Sequence, residues 1–223
     1  MDGFGVGRLA QNIALKMAAG QIALPLHWPV ADSDEDFLLS EANRAAFDHL
    51  KSWSTWPVMA TLLTGPRKSG RSLLGRIFVR KTGGRLFDNA EDHEEEDLFH
   101  AWNDAQSRRK PLLIVADATP PRWEVKLPDL RSRLAATPQV AIGPPDDELL
   151  AALVLKLLGD RGVAAQSEIA QFLVPRIERS YVGVLNAIDA LDRAVLSHHK
   201  RLTVPVAKKA LIEARLIRRA KFR

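Results

Sequence analysis

The chain has 223 residues, no cysteine and a formal net charge of +5. This length allows either one domain with appendages or one domain in two lobes, and it is ample for a real core. The missing cysteine excludes disulfides and thiol chemistry and fits a cytoplasmic protein. No apolar run reaches the roughly 18 residues of a membrane span, and Arg8 and Lys16 interrupt any signal-peptide core.

The N-terminal segment contains one informative stretch. Residues 1–20 show little pattern, and the sequence leaves open whether translation starts at Met1 or Met17. Residues 21–26 then read Gln-Ile-Ala-Leu-Pro-Leu, an extended peptide that suits docking into an apolar pocket, with its leucines buried and its backbone stiffened by proline. The alternative is an arm that lies over the chain's own sheet.

A strand, a glycine-bounded loop and a helix start follow at residues 58–77, which is the arrangement of a phosphate-binding P-loop. The two glycines are Gly65 and Gly70, and Arg71 stands where the motif asks for lysine before Ser72. A planar guanidinium is a poor substitute for the compact lysine ammonium at this site. The pattern predicts a nucleotide-binding scaffold whose own hydrolysis is doubtful, and an ordinary strand-turn-helix is the alternative.

The segments around the loop alternate between helix and strand. Ser40 has the character of a helix cap, and Gly83-Gly84 is expected to end the P-loop helix. We further predict strands at 85–88, 111–117 and 140–142 and helices at 98–109 and 127–135. This alternation predicts an α/β fold with a mainly parallel sheet, whose ligands bind at the carboxyl ends of the strands.

Beyond Gly143-Pro144-Pro145-Asp146 the sequence predicts only helices, at 146–158, 167–179, 182–198 and from Thr203, with Asp146, Ser167 and Thr203 as caps. We therefore expect an N-terminal arm at 1–30, an α/β base at 31–143 and an all-helical lid at 144–223. Residues 200–223 hold nine Lys and Arg against one acid, and residues 88–97 hold seven acids without a Lys or Arg. The basic end is either a nucleic-acid contact or a solvated helix end.

This order of elements resembles AAA+ proteins, and three stretches narrow the resemblance to the Hda family of DnaA-related regulators. Residues 21–26 resemble the hexapeptide by which bacterial proteins bind the DNA sliding clamp. Residues 112–122 and 127–134 are similar to the family's sensor 1 strand and arginine-finger segment. In the lid, residues 191–194 and 202–205 are also similar to that family.

The resemblance covers about residues 21–212 and implies a negative regulator of DNA replication initiation. Such a regulator binds the sliding clamp, reaches DNA only through it, and promotes hydrolysis of DnaA-bound ATP. The resemblance implies clamp contacts at Gln21, Ile22, Leu24, Pro25 and Leu26. It implies nucleotide-binding positions at Gly65, Gly70, Arg71, Ser72 and Asp117, with Asp117 as sensor 1, and an arginine finger acting in trans at Arg133. From spacing alone, Arg133 is a surface residue paired with Asp129.

Several departures from the family pattern qualify these expectations. Only about thirty residues separate the P-loop helix from the strand at 112, so the metal-binding Walker B strand is either missing or merged into residues 86–88. Asp88, Glu91 and Asp92 either imitate its acids or form a solvated loop. The sensor 2 arginine is replaced near Val182, although Arg179 lies one turn earlier.

We accordingly expect the binding of ADP or ATP to be weak or absent. We also expect no intrinsic ATPase activity and no metal site. No membrane partner is expected, and the sequence leaves open whether the chain forms a homodimer. Two other functions also stay open: an active DnaA-like ATPase or loader, and a nucleic-acid-binding module that uses the basic C-terminal tail.

Overall fold

The computed structural model describes residues 36–198 and 201–217. The hexapeptide at 21–26 therefore lies outside the described residues. The strands are β1 (Ala60–Thr64), β2 (Arg85–Phe87), β3 (Leu112–Val115) and β4 (Gln139–Ala141). The helices are α1 (Glu41–Lys51), α2 (Arg71–Thr82), α3 (Glu95–Arg108), α4 (Pro128–Ala136), α5 (Asp147–Asp160), α6 (Ser167–Leu173), α7 (Tyr181–His198) and α8 (Val204–Glu213).

The four strands form a parallel sheet in the order β2-β3-β1-β4. The two central strands, β1 and β3, are almost wholly buried, as their continuous apolar runs predict. In their register Leu62 lies beside Ile114. The carboxyl ends of β1 and β3 consequently meet at one edge, and the predicted mainly parallel α/β fold is confirmed.

The loop after β1 depends on its glycines. Gly65 has φ +154° and Gly70 has φ +90°, in a region that side chains with a Cβ rarely adopt. A Cβ on Gly65 would also lie 2.9 Å from the carbonyl oxygen of Ile142. The loop can therefore curl tightly between the strand end and the first turn of α2.

The lid is helical throughout its described part and has its own apolar core, which includes Val154, Leu173 and Leu191. Leu149 and Tyr181, from lid helices α5 and α7, belong instead to the core of the α/β base. The Tyr181 hydroxyl also donates a hydrogen bond to the Gly143 carbonyl oxygen at 3.1 Å. The lid thus packs directly on the base, while the division at residues 143 and 144 stays a prediction.

Local signals fixed most element ends, with two corrections in the lid. Asp146 caps α5 by accepting a hydrogen bond from the Leu149 amide at 2.7 Å, as expected. The next helix ends at Leu173 instead of Arg179, because Pro175 lacks an N–H and disfavours helical geometry in the residue before it. Its cap is Gln166, which forms no side-chain capping bond.

The C-terminal basic segment is less solvated than its composition predicts. Leu216 and Ile217 pack against the lid core, so at least this part of residues 200–223 contributes to packing. Within the described ranges, no helix combines the length and apolar character needed to cross a membrane.

Candidate functional site

A cleft of about 180 Å³ separates the P-loop from the lid. The segment before α1, the P-loop and helices α5 and α7 form its walls, so base and lid both contribute. Much of its lining is apolar, including Phe37, Leu73, Leu153 and Val184. Such a wall suits a flat heteroaromatic group better than a charged one.

The P-loop end of the cleft is polar. Ser69 is only 6% exposed, and its hydroxyl has no hydrogen-bond partner. It adjoins the amino terminus of α2, where backbone N–H groups and the helix dipole favour an anion. A buried unpaired hydroxyl and an apolar wall in one cleft fit the phosphate and base ends of a nucleotide.

The lining of the cleft includes an ion-paired lysine. The Lys156 ammonium, on α5, lies 3.0 Å from an Asp36 carboxylate oxygen and 2.8 Å from an Asp160 carboxylate oxygen. Burial disfavours the charged form, but the two carboxylates outweigh it and raise the pKa of Lys156. The lysine thus links the lid to the segment that precedes α1.

Arg71 is paired with groups of the chain that follow β3. Arg71 is 9% exposed, and its guanidinium donates to the Ala116 carbonyl oxygen and, at 2.5 Å, to the Asp117 carboxylate. Both partners follow the carboxyl end of β3. The residue that stands in place of the P-loop lysine is therefore paired with Asp117, the residue expected to be sensor 1.

Asp88 follows β2, the strand next to β3, and accepts a hydrogen bond from the Ser72 hydroxyl at 3.0 Å. In P-loop NTPases the loop Ser or Thr and a Walker B Asp together hold Mg²⁺. The structure thus brings Ser72 and Asp88 together, and a Walker B role for Asp88 stays a prediction. These two residues could share a magnesium ion with phosphate oxygens, although the described ranges contain no cluster of three or more His, Cys, Asp or Glu side chains arranged to bind a metal.

The acidic run around residues 91–95 supports the loops that follow β3. A Glu91 carboxylate oxygen accepts from the amides of Asp117 and Ala118 at 2.5 and 3.3 Å. Glu95 accepts from the Lys126 and Leu127 amides, just before α4, at 2.8 and 2.5 Å. Glu91 is exposed, as a solvated loop predicts, but it also accepts these hydrogen bonds. The partners of Glu91 and Glu95 lie too far along the chain for local spacing to reveal them.

Arg133, on α4, lies across two aromatic rings of α3. Its guanidinium carbon is 4.6 Å from the centre of the Trp102 ring and 4.9 Å from that of Phe99. Within residues 36–198 and 201–217 it forms no ion pair with Asp129, so the pairing expected from spacing alone is wrong. Arg179 does form an ion pair, with Asp147 on the first turn of α5 at 2.6 Å.

A family model described as "Hda, lid domain" matches residues 146–211. A protein of Haemophilus influenzae described as uncharacterized is 34% identical over 121 residues, which is 54% of this chain and 52% of that protein. The chain thus spans about half the length of the curated relative it matches.

Two solved structures share the fold. Domain III of the Thermotoga maritima replication initiation protein DnaA has a TM-score of 0.69 at 16% identity, covering 88% of this chain and 100% of that one. The Thermotoga maritima RuvB Holliday junction branch migration motor has a TM-score of 0.60 at 13% identity, covering 82% and 72%. This chain is similar in fold to both.

Proposed function

We propose that this chain regulates the initiation of DNA replication by promoting hydrolysis of ATP bound to DnaA, which the match of its lid to the Hda lid-domain model and its DnaA-like fold support. In this proposal the chain binds the sliding clamp on DNA, contacts DnaA from there and supplies Arg133 to the nucleotide site of that partner. DNA is reached only through the clamp.

The proposal depends mainly on the contacts of the Arg133 guanidinium. Its guanidinium contacts the Phe99 and Trp102 rings, and within the described residues no hydrogen bond from it to another group is found. Its N–H donors therefore remain available for the oxygens of a phosphate. A guanidinium supplied in trans stabilises the charge that develops on the transferred phosphoryl group.

The chain's own P-loop favours an activator over an ATPase. An active DnaA-like ATPase would need Arg71 to contact phosphate, but that guanidinium is paired with Ala116 and Asp117. Weak binding of ADP or ATP through the loop amides and Ser69 is compatible with the proposal. A Mg²⁺ ion bound with such a nucleotide would supply charge neutralisation, and Ser72 and Asp88 are the residues that would hold it.

Replacing Arg133 tests the proposal. The assay follows phosphate release by ATP-loaded DnaA in the presence of the clamp on DNA and this protein. We expect Arg133→Ala to reduce the stimulated rate by a factor on the order of 10³, because trans arginines contribute about 10³–10⁵ in related phosphoryl transfers.

The matched control is Arg176→Ala. Arg176 is also a surface arginine, with its guanidinium carbon 4.5 Å from the centre of the Phe172 ring, but it lies in the lid. We expect full stimulation from this variant. Full stimulation from Arg133→Ala would contradict the proposal.

A further inference from the structure

The two rings beneath Arg133 form a platform, which we define as Phe99 and Trp102. The two residues are three positions apart on α3 and so share one helix face. Arg133 reaches them from α4, with its guanidinium carbon within 5 Å of both ring centres. Both rings are only partly buried, and both pack against the core of the base.

Hydrogen bonds connect this platform to the helix that carries the arginine. The Trp102 indole N–H donates to the Thr137 hydroxyl oxygen at 3.0 Å. The same hydroxyl donates to the Arg133 carbonyl oxygen at 2.8 Å. Thr137 is only 3% exposed, so one buried side chain fixes both the indole and the end of α4.

This geometry restrains the guanidinium without using its donors. An aromatic face attracts a guanidinium through its ring quadrupole and leaves the in-plane N–H groups free. A flexible arginine loses conformational entropy when it is ordered in an interface. An arginine that is already held on the platform loses less conformational entropy when it binds phosphate oxygens.

We propose that Phe99 and Trp102 are positioning residues that hold Arg133 ready for the phosphate oxygens of the partner's nucleotide. This inference rests on the proposed function. It adds that the arginine is presented in its stacked position, with Thr137 setting the orientation of the indole. In this proposal the rings contact the arginine and not the nucleotide, so they act only through Arg133.

The test compares Trp102→Leu and Phe99→Leu with Trp102→Phe, which keeps an aromatic face. In the DnaA assay, the two leucine variants should lower the maximal stimulated rate roughly three- to thirtyfold, the range of a cation–π contact. The protein concentration that gives half the maximal rate should change less. Trp102→Phe should retain most of the rate, and Phe172→Leu, which removes the similar contact of Arg176 in the lid, should leave it unchanged.

A second measurement needs no partner. Ring currents should move the NMR signal of the Arg133 Nε proton upfield in the wild type and in Trp102→Phe, and much less in Trp102→Leu. Thermal melting of every variant shows whether it is folded. If Trp102→Leu melts well below the wild type, Phe99→Leu decides whether the rings position Arg133.

An unchanged maximal rate in the leucine variants would overturn the inference, and so would an increased one, since an increase would mean that the rings hold Arg133 back. If Arg133→Ala has no effect in the same assay, the proposed function fails. The NMR shift then still decides whether the platform restrains the guanidinium.

Discussion

At the scale of single residues, the P-loop shows how one substitution redirects a side chain. Arg71 has the reach and the planar donors to bind a carbonyl oxygen and a carboxylate together, and it does so at Ala116 and Asp117. A lysine has a single ammonium and would be a weaker partner for both groups. The guanidinium thus favours internal pairing over contact with a nucleotide.

We therefore expect ATP turnover by the wild-type protein to equal that of buffer. Arg71→Lys should bind ADP roughly tenfold or more tightly than wild type by calorimetric titration, because a hydrogen bond to a charged group contributes about 1.5–3 kcal/mol. Arg67→Lys, at an exposed arginine of the same loop, is the matched control and should change little. Phosphate release by the wild type that disappears in Ser72→Ala would contradict this expectation.

At the scale of elements, α7 is joined to the base at its first residue. Tyr181 is 5% exposed, and its hydroxyl donates to Gly143. Burial, with a contribution from the nearby Asp146 carboxylate, raises the pKa of Tyr181 to about 12. Because the ordinary value is near 10, the protonated form is favoured in the folded protein.

This difference predicts a loss of stability at alkaline pH. The contribution of Tyr181 is complete below pH 10, the unfolded value, and is lost as the pH rises through the folded value of about 12. At pH 8 we expect Tyr181→Phe to be less stable than the wild type by about 1 kcal/mol in urea unfolding. That difference should shrink as the pH rises from 10 towards 12, and a difference that stays constant would refute the assignment.

Much of the base followed from local sequence, while the contacts of its site did not. Gly83 ends α2 with φ +66°, as its position predicted, and the apolar runs located both central strands. The roles of Glu91 and Glu95 depend on partners 26 to 32 residues away. The stacking of Arg133 likewise depends on how α3 packs against α4.

At the scale of the whole molecule, the proposed function includes a segment outside the described residues, at 21–26. Leu24 and Leu26 either fill a clamp pocket or pack on the chain's own sheet, and the two cases have opposite consequences. If the leucines fill a clamp pocket, replacing each of them by alanine should weaken binding by on the order of 1–3 kcal/mol. If they pack on the sheet instead, each replacement should lower the folding stability by about 2–5 kcal/mol.

We expect Leu24→Ala/Leu26→Ala to weaken clamp binding and leave thermal melting unchanged, because in the proposal these leucines contact the clamp and not the chain's own core. Ile13→Ala/Leu15→Ala, a pair with the same spacing earlier in the chain, is the control and should preserve both properties. Unchanged clamp affinity together with a lower melting temperature would remove clamp binding from the proposal.

The order of the sheet also bears on self-association. Its outer strands, β2 and β4, are three residues long each, and Arg85 on β2 is exposed with its guanidinium over the Phe87 ring. Short edges with charged side chains offer few unpaired backbone groups for an incoming strand. Among the described residues, these edges therefore favour binding of a second copy through side-chain surfaces over strand pairing, and they should resist aggregation even when the protein is concentrated.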